Sequence, residues 1–456
     1  MNQIGRQDQK IIDSISKEIG TELKQLDKYE WDHVGYVVNS DGRVEVLNLH
    51  DLKIGWLPKG LKALSELKTL HLVANKLSSV EEIKHLNQLT TLVLQNNHIE
   101  TLSFCEELSS LKALYLSYNP IEDINPVKNL QNLEFLLIQH AGYFDTSPIG
   151  SLQQLQELRI SLNSYSKIDF LLTCRNLARL KSYAISSEKK HLPTNLCDYL
   201  AKINVDDLTF SGYQSIDIDS IAQLTNLNSL AIMFSETEEI QSLSTMIQLQ
   251  TLNLLKNSIK DIQGLSKLTQ LQHLNIGFNQ IVDISPLAEL PLLKAINLSK
   301  NPITDLKPLL NHPLKFYVKD TQFEAEDNKI SIGGCENIVN PPIEIVKQGD
   351  AAIRRYFEKI AEEGIEYIYE AKLILVGEGS AGKTSLQKRL IDPKAILPTS
   401  DKRTRGIEVV DFVFETEANN SKIAHIWDFG GQDVYYPVHR FFITENSVFV
   451  LMASTR

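Results

Sequence analysis

Residues 377–384 read Gly-Glu-Gly-Ser-Ala-Gly-Lys-Thr, the G-x-x-x-x-G-K-[ST] spacing that cradles phosphate. Gly377, Gly379 and Gly382 let the backbone approach anionic oxygens closely. The N–H groups of such a loop, and of a helix that follows it, point at those oxygens. The flanks supply the elements. Lys372–Val376 is an apolar run suited to a buried parallel strand, and Thr384–Leu390 reads as a helix. Lys383 is then placed to neutralise β- and γ-phosphates, and the Thr384 hydroxyl to bind Mg²⁺.

A second apolar run, Ile423–Trp427, ends in Asp428-Phe429-Gly430-Gly431-Gln432. An Asp after a strand supplies the second carboxylate on the magnesium side of a nucleotide site. In Asp-x-x-Gly, the Gly431 amide can meet a γ-phosphate and sense its loss. Thr404 lies twenty residues past Thr384, where a segment can close over Mg²⁺. Gln432 orients an attacking water or is a loop residue, with a partner chain completing catalysis. Arg405 is a charge stabiliser or a surface cation. His425 and His439 read as structural, and Trp427 as core.

The elements that must carry this chemistry follow a long repeat. The unit L-x-x-L-x-L-x-x-N-x-I runs Leu67…Leu70…Leu72…Asn75…Leu77, then Leu89…Asn97…Ile99, then Leu111…Asn119…Ile121. Starts at Leu133, Leu155, Leu177, Val205, Leu227, Leu249, Leu271 and Leu293, with a degenerate one at Val44, make twelve. The step is 22, except 23 after Val44 and 28 between Leu177 and Val205. This is the leucine-rich-repeat pattern, in which each unit gives one strand to a parallel sheet. Twelve strands predict an α/β solenoid, a horseshoe whose concave sheet is on the order of 50 Å long. Prolines at 126, 286 and 308 suit short 3₁₀ turns on the return side. Ala141, Ile185, Tyr213 and Ser235 stand where the asparagine should be, and the six-residue insertion falls at Ser186–Lys202. The sequence predicts an irregular or bent region there.

Concave positions predicted to be exposed are Tyr115, Tyr118, Leu137, His140, Leu162, Tyr183, Met233, Phe234, Leu255 and Phe278. Such a surface suits protein partners or another domain of the same molecule. An apolar stripe from Ile11 to Leu26 predicts a helix capping the first repeat. Leu314–Val318 reads as a closing strand, the polar stretch 321–342 as linker, and Asp350 as the start of a helix carrying Ile353, Tyr356, Phe357 and Ile360. The division expected is 1–43 helical cap, 44–320 solenoid, 321–370 linker and coupling helix, and 371–456 nucleotide domain.

Composition narrows the function further. The net charge of −11 disfavours nucleic acid or an anionic membrane as the main partner. The four cysteines are far apart and read as reduced thiols. No secretory signal or membrane-spanning run is read, so a cytoplasmic protein is expected.

Leucine-rich repeats, then Pro-Pro-Ile-Glu-Ile-Val-Lys-Gln-Gly-Asp-Ala-Ala, then the phosphate loop and Trp-Asp-Phe-Gly-Gly-Gln, resemble the Roco family over essentially the whole chain. That family joins repeats to a Ras-like GTPase domain, Roc, and a dimerising COR domain. The resemblance implies GTP/GDP, Mg²⁺, GTP hydrolysis, homodimerisation of the intact protein, and a solenoid that meets protein partners or its own GTPase and COR domains. Carried over by position, Gly377, Gly379, Ser380, Ala381, Gly382, Lys383, Thr384, Ser385, Thr404 and Gly431 bind nucleotide. Thr384, Thr404 and Asp428 serve the metal, and Lys383 and Gln432 serve catalysis. The N/T-K-x-D base-reading motif of Ras-like domains is not found before Arg456. The expectation is an incomplete Roc domain with weak or no turnover by this chain. Two other readings stay open: an interaction scaffold with a non-hydrolysing phosphate-loop domain, and an ATP-dependent signalling NTPase.

Overall fold

The computed structural model describes the chain apart from residues 1–2, 141–143, 185–190, 215, 320–325, 365–369, 379, 399–405, 416–420, 430–446 and 454–456, and the side chains of Glu415 and Ser421. It forms two compact units, Met1–Glu358 and Lys359–Arg456.

The first unit opens with α1 (Arg6–Ile19), then β1 (Gly35–Val38) and β2 (Val44–Asn48), which pair as an antiparallel hairpin. Strands β3 to β13 follow: Thr69–His71, Thr91–Val93, Ala113–Tyr115, Phe135–Ile138, Glu157–Ile160, Arg179–Tyr183, Asp207–Ser211, Ser229–Met233, Thr251–Asn253, His273–Asn275 and Ala295–Asn297. All are parallel, and each of the twelve repeat starts begins or precedes one of β2 to β13. The second leucine of each unit holds one register, Leu70 beside Leu92, Leu114, Leu136, Leu158 and Leu180 in turn. The leucines are buried because every strand presents alternate side chains to the inside of the coil. The return side is 3₁₀ turns, with proline in the first turn at Asn125–Asn129, Ser285–Glu289 and Lys307–Leu309.

The asparagines explain how the coil turns. Asn97 Nδ2 donates to Leu72 O and Leu94 O, both at 2.9 Å, and its Oδ1 accepts from Leu77 N at 3.1 Å. One amide thus ties three backbone groups in adjacent turns. The residue just before it is left-handed in repeat after repeat: Ala74, Asn96, Tyr118, Lys256, Phe278 and Lys300 have φ of 55–60°. That conformation costs a non-glycine residue roughly 1 kcal/mol or more, which the buried amide bonds offset.

Three expectations need correction, and a fourth is located. The irregularity expected at the insertion lies on the return side and leaves the sheet unbroken. Leu180 pairs with Leu208 across it, and the extra length is spent on the return side around α2 (Leu196–Leu200). α3 (Ile218–Ala222) occupies the return side of the next repeat. The N-terminal helix stops at Gly20, which adopts φ 69° as its C-cap, so Leu23 and Leu26 lie outside it. Leu137, Leu162 and Leu255 are buried, at 7%, 2% and 2% exposure, whereas Tyr118 and Phe234 are exposed as expected. Finally, the stretch read as linker supplies β15 (Lys329–Ser331). It inserts in parallel between β13 and β14 (Lys315–Tyr317), leaving β14 at the edge.

At the N-terminal end, chain preceding β1 folds back on the sheet. Asn48 Nδ2 donates to Glu30 O and Trp31 O, and the Trp31 ring packs against His71 at a tilt of 54°, with centres 4.5 Å apart. Tyr29 Oη lies 3.0 Å from His71 Nδ1. Burial pushes the His71 pKa down to about 4, so the ring is neutral near pH 7. Trp31 also lies edge-on to Tyr115, with ring centres 5.8 Å apart, so this segment reaches across the sheet as far as β5.

At the other end, α4 (Ile343–Val346) leads to α5 (Asp350–Glu363). Ile353 and Phe357 of α5 are buried on the last repeat. Asp350 Oδ1 accepts from Phe316 N at 3.0 Å. Arg354 donates to Leu310 O (2.6 Å), His312 O (3.2 Å) and Leu314 O (2.7 Å). The pair satisfies backbone groups that an end repeat otherwise leaves to water. Arg354→Ala is expected to destabilise the last turns by about 2–3 kcal/mol, the scale of charge-assisted bonds left unmade. Hydrogen exchange at Phe316 and Ile332 measures it; unchanged protection there would exclude the capping role.

Candidate functional site

The second unit is a four-stranded sheet in the order β17-β18-β16-β19, formed by β16 (Glu370–Gly377), β17 (Ile407–Glu415), β18 (Ser421–Phe429) and β19 (Ser447–Met452), with α6 (Lys383–Ile391) after β16. β16 is parallel to both neighbours, and β17 is antiparallel to β18. Both apolar runs that frame the motifs are therefore adjacent strands. Their register sets Asp428 beside Leu375, at the end where β16 turns into the loop.

The loop between β16 and α6 has the backbone its glycines predict. Gly377 has φ 152°, Ser380 67° and Gly382 94°. A Cβ on Gly377 would lie 2.2 Å from Met452 O on β19, so the close approach of two strands requires glycine. Gly382 is the N-cap of α6. The first N–H groups of that helix have no intrahelical acceptor and face the loop.

Lys383 is 6% exposed and folds back on the loop, donating from Nζ to Gly377 O at 2.7 Å and Glu378 O at 3.0 Å. Burial holds its pKa below the ordinary lysine value, with the Asp428 charge acting in the opposite sense. Thr384 Oγ1 donates to Asp428 Oδ2 at 2.5 Å, joining positions 44 residues apart. Asp428 is fully buried. A hydroxyl and a carboxylate side by side form the hard oxygen pair that Mg²⁺ takes from a protein, so Thr384 and Asp428 fit that ion. Ser380 and Ala381 stand in the loop before α6, and Ser385 in the first turn of that helix. Gly379, Thr404, Gly431 and Gln432 lie outside the described residues, as do Arg405 and His439.

Two features escape the sequence reading. Trp427 is half-buried rather than core, with Lys372 Nζ 4.3 Å from its ring centre. His425 stands between two carboxylates, Nδ1 2.6 Å from Asp411 and Nε2 3.2 Å from Glu370. The signal was register: His425 pairs directly with Asp411. With an acceptor at each nitrogen, the ring is satisfied only as imidazolium. The Asp411 bond, then the Glu370 bond, raise its pKa above the usual 6.5. A raised folded pKa gives stability that is complete below the unfolded value and is lost as pH rises through the folded one. The melting temperature of this unit should therefore fall as pH rises past 6.5, and His425→Gln should flatten that slope. An unaltered slope in the variant would exclude His425 as its source.

Comparisons with known proteins agree with this geometry. Residues 372–456 match the family described as Ras of Complex, Roc, domain of DAPkinase. Residues 87–129, 247–289 and 269–311 match Leucine Rich repeats (2 copies). A Roc-COR-CHAT protease from an unidentified prokaryote is 35% identical over 113 residues, 22% of this chain and 10% of the relative. The probable serine/threonine-protein kinase pats1 of Dictyostelium discoideum is 36% identical over 128 residues, 24% of this chain and 4% of the relative. The chain thus matches a small part of either relative's length. An internalin structure from Listeria monocytogenes aligns with TM-score 0.45 and 23% identity, over 66% of this chain and 91% of that one. Repeats in a long parallel sheet, followed by a Roc domain, give this chain the leucine-rich-repeat–Roc architecture of the Roco family.

Proposed function

We propose that the protein is a guanine-nucleotide switch of the GTPase type, with the repeats as its interaction arm. The observation that carries this reading is the convergence at one strand end of Lys383, held over the loop carbonyls, and the Thr384–Asp428 contact. Lys383 neutralises phosphate charge. Thr384 and Asp428 would hold Mg²⁺, which would supply charge compensation when bound, with Thr404 as the further ligand that the family resemblance implies. The Gly431 amide meets the γ-phosphate, so losing that phosphate releases both switch segments. Gln432, or a partner chain in a homodimer, positions the attacking water. The concave face, with Tyr118 stacked on His140 at 4.6 Å, takes protein partners or other domains of the same protein. No helix among the described residues is long and apolar enough to cross a membrane, which is compatible with a cytoplasmic site of action.

The test is calorimetric titration of the protein with Mg²⁺–GTP, Mg²⁺–GDP and Mg²⁺–ATP. Guanine-selective binding supports the switch. ATP binding as tight as GTP, or no binding of any of the three, overturns it in favour of a signalling NTPase or a scaffold.

A further inference from the structure

The repeats of β9 and β10 depart from the rule that closes the asparagine-bearing repeats. Where Asn97 or Asn257 bonds a carbonyl 25 residues back, in the preceding turn, Ser235 stands instead, and its Oγ reaches only Met233 O, 2.9 Å away in its own turn. Two residues on, the six repeats with a bridging asparagine carry Leu77, Ile99, Ile121, Ile259, Ile281 and Ile303, all fully buried. Here that position is Thr237. A polar bridge and an aliphatic plug are thus both replaced at one level of the coil, and a cleft of about 390 Å³ opens there.

Five carboxylates line it: Asp217, Asp219, Glu236, Glu238 and Glu239. Asp217 is fixed by Ser220 N at 3.1 Å and Ser220 Oγ at 2.5 Å, and Asp219 by the Ser242 hydroxyl. Bonds from Ser220 hold the Asp217 carboxyl below its usual pKa. Asn257 Oδ1 accepts from Ser235 N (3.2 Å) and Thr237 N (3.1 Å), so the other wall is also held. Thr237 is 8% exposed and lines the cleft, and its Oγ1 has no hydrogen-bond partner among the described residues. A buried hydroxyl left unmade costs roughly 1–3 kcal/mol, and gathered carboxylates repel one another. Both costs fall when a cation carrying N–H donors enters.

We propose that this cleft binds an organic cation, an alkylammonium or guanidinium group whose N–H donors meet the carboxylates and the Thr237 hydroxyl. A bare metal ion fits less well on two counts. Among the described residues no three acidic, histidine or cysteine side chains come close enough to hold one. The volume, about a dozen waters' worth, also suits a chain of atoms rather than one ion. The cation is either a side chain of a basic protein segment or a free polyamine.

The test is titration of the whole protein with spermidine and, separately, with a capped hexapeptide containing two arginines, alongside CaCl2. Spermidine binding identifies a free polyamine, and peptide binding alone identifies a partner side chain. Two variants accompany it. In E236Q/E238Q/E239Q the exposed charges are removed, and affinity should fall about tenfold or more, with the melting temperature unchanged or raised. In Thr237→Ile the plug is restored; binding should weaken comparably, and the melting temperature should rise. Saturable binding by at least one organic probe, weakened in both variants, supports the site. Any other result overturns it, including a saturable response to CaCl2 alone.

Discussion

Lys383→Ala is expected to lower nucleotide affinity by at least about a hundredfold, because a buried charge-assisted contact to phosphate is worth roughly 3 kcal/mol or more. The structure makes the substitution a clean one. The Nζ donates within its own loop, to Gly377 O and Glu378 O, and those acceptors belong to the second unit. The thermal transition of the repeats should therefore be unmoved. Lys383→Arg is expected to fail as well, since a planar guanidinium cannot replace a compact ammonium seated on two carbonyls. Equilibrium titration with Mg²⁺–GTP reads both variants. An alanine variant that binds within about threefold of the parent, under 1 kcal/mol, would remove Lys383 from the site.

Proton linkage gives the same residue a second signature. Burial depresses the Lys383 pKa in the free protein, and a phosphate beside it raises the pKa again. Binding then takes up a proton in the pH interval between the depressed value and the raised one. Affinity should be flat below that value and decline through the interval up to the ordinary lysine range.

What the sequence disclosed, and what it did not, separates by the range of the interactions involved. The phosphate loop was legible because its glycines encode backbone geometry locally: Gly377 and Gly382 adopt the positive φ that their spacing implies. The repeats were legible because one unit's pattern dictates one strand. β15 was not. Lys329-Ile330-Ser331 lies in a polar stretch and becomes a strand only through its neighbours β13 and β14. Tyr213 shows the same limit. At an asparagine position it reads as drift, yet its hydroxyl donates to Leu162 O at 2.9 Å and lies 2.6 Å from Ser182 Oγ. A long side chain thus meets Ser182 in the preceding turn and reaches Leu162 one turn further back, farther than the amide does elsewhere, a substitution visible only once Leu162, 51 residues away, is placed. Of the site residues, the pairing of Thr384 with Asp428 followed from two strands being adjacent, which the motif order implied. His425 between two carboxylates needed the strand register itself.

The asparagine ladder yields the sharpest test of what holds the solenoid. Asn119 is 2% exposed. Its Nδ2 donates to Leu94 O and Leu116 O, both at 2.9 Å, and its Oδ1 accepts from Ile99 N at 3.0 Å. Asn119→Ala leaves Ile99 N and Leu116 O unpaired and Leu94 O with only its bond from Asn97, at about 1 kcal/mol or more for each unpaired group, so a loss on the order of 2–3 kcal/mol is expected. Asn119→Asp is nearly isosteric and keeps the acceptor for Ile99 N. If the residue served only as a spacer, aspartate would be the milder change. Its second oxygen, however, would face two carbonyl oxygens in a buried site, with a charge that must be neutralised or left unpaired. Aspartate is therefore expected to cost more than alanine at pH 7, and to recover part of the difference as acid protonates it. Because each repeat contacts only its neighbours, the damage should be local. Hydrogen exchange should quicken at Ile99, Leu116 and Tyr118 and stay unchanged at Ile281 or Leu298. Denaturant titration of the three proteins at pH 7 and pH 5 ranks them. Aspartate milder than alanine at pH 7 would mean that shape, not donated hydrogen bonds, closes the coil, and Ser235 could then no longer explain the cleft beside it.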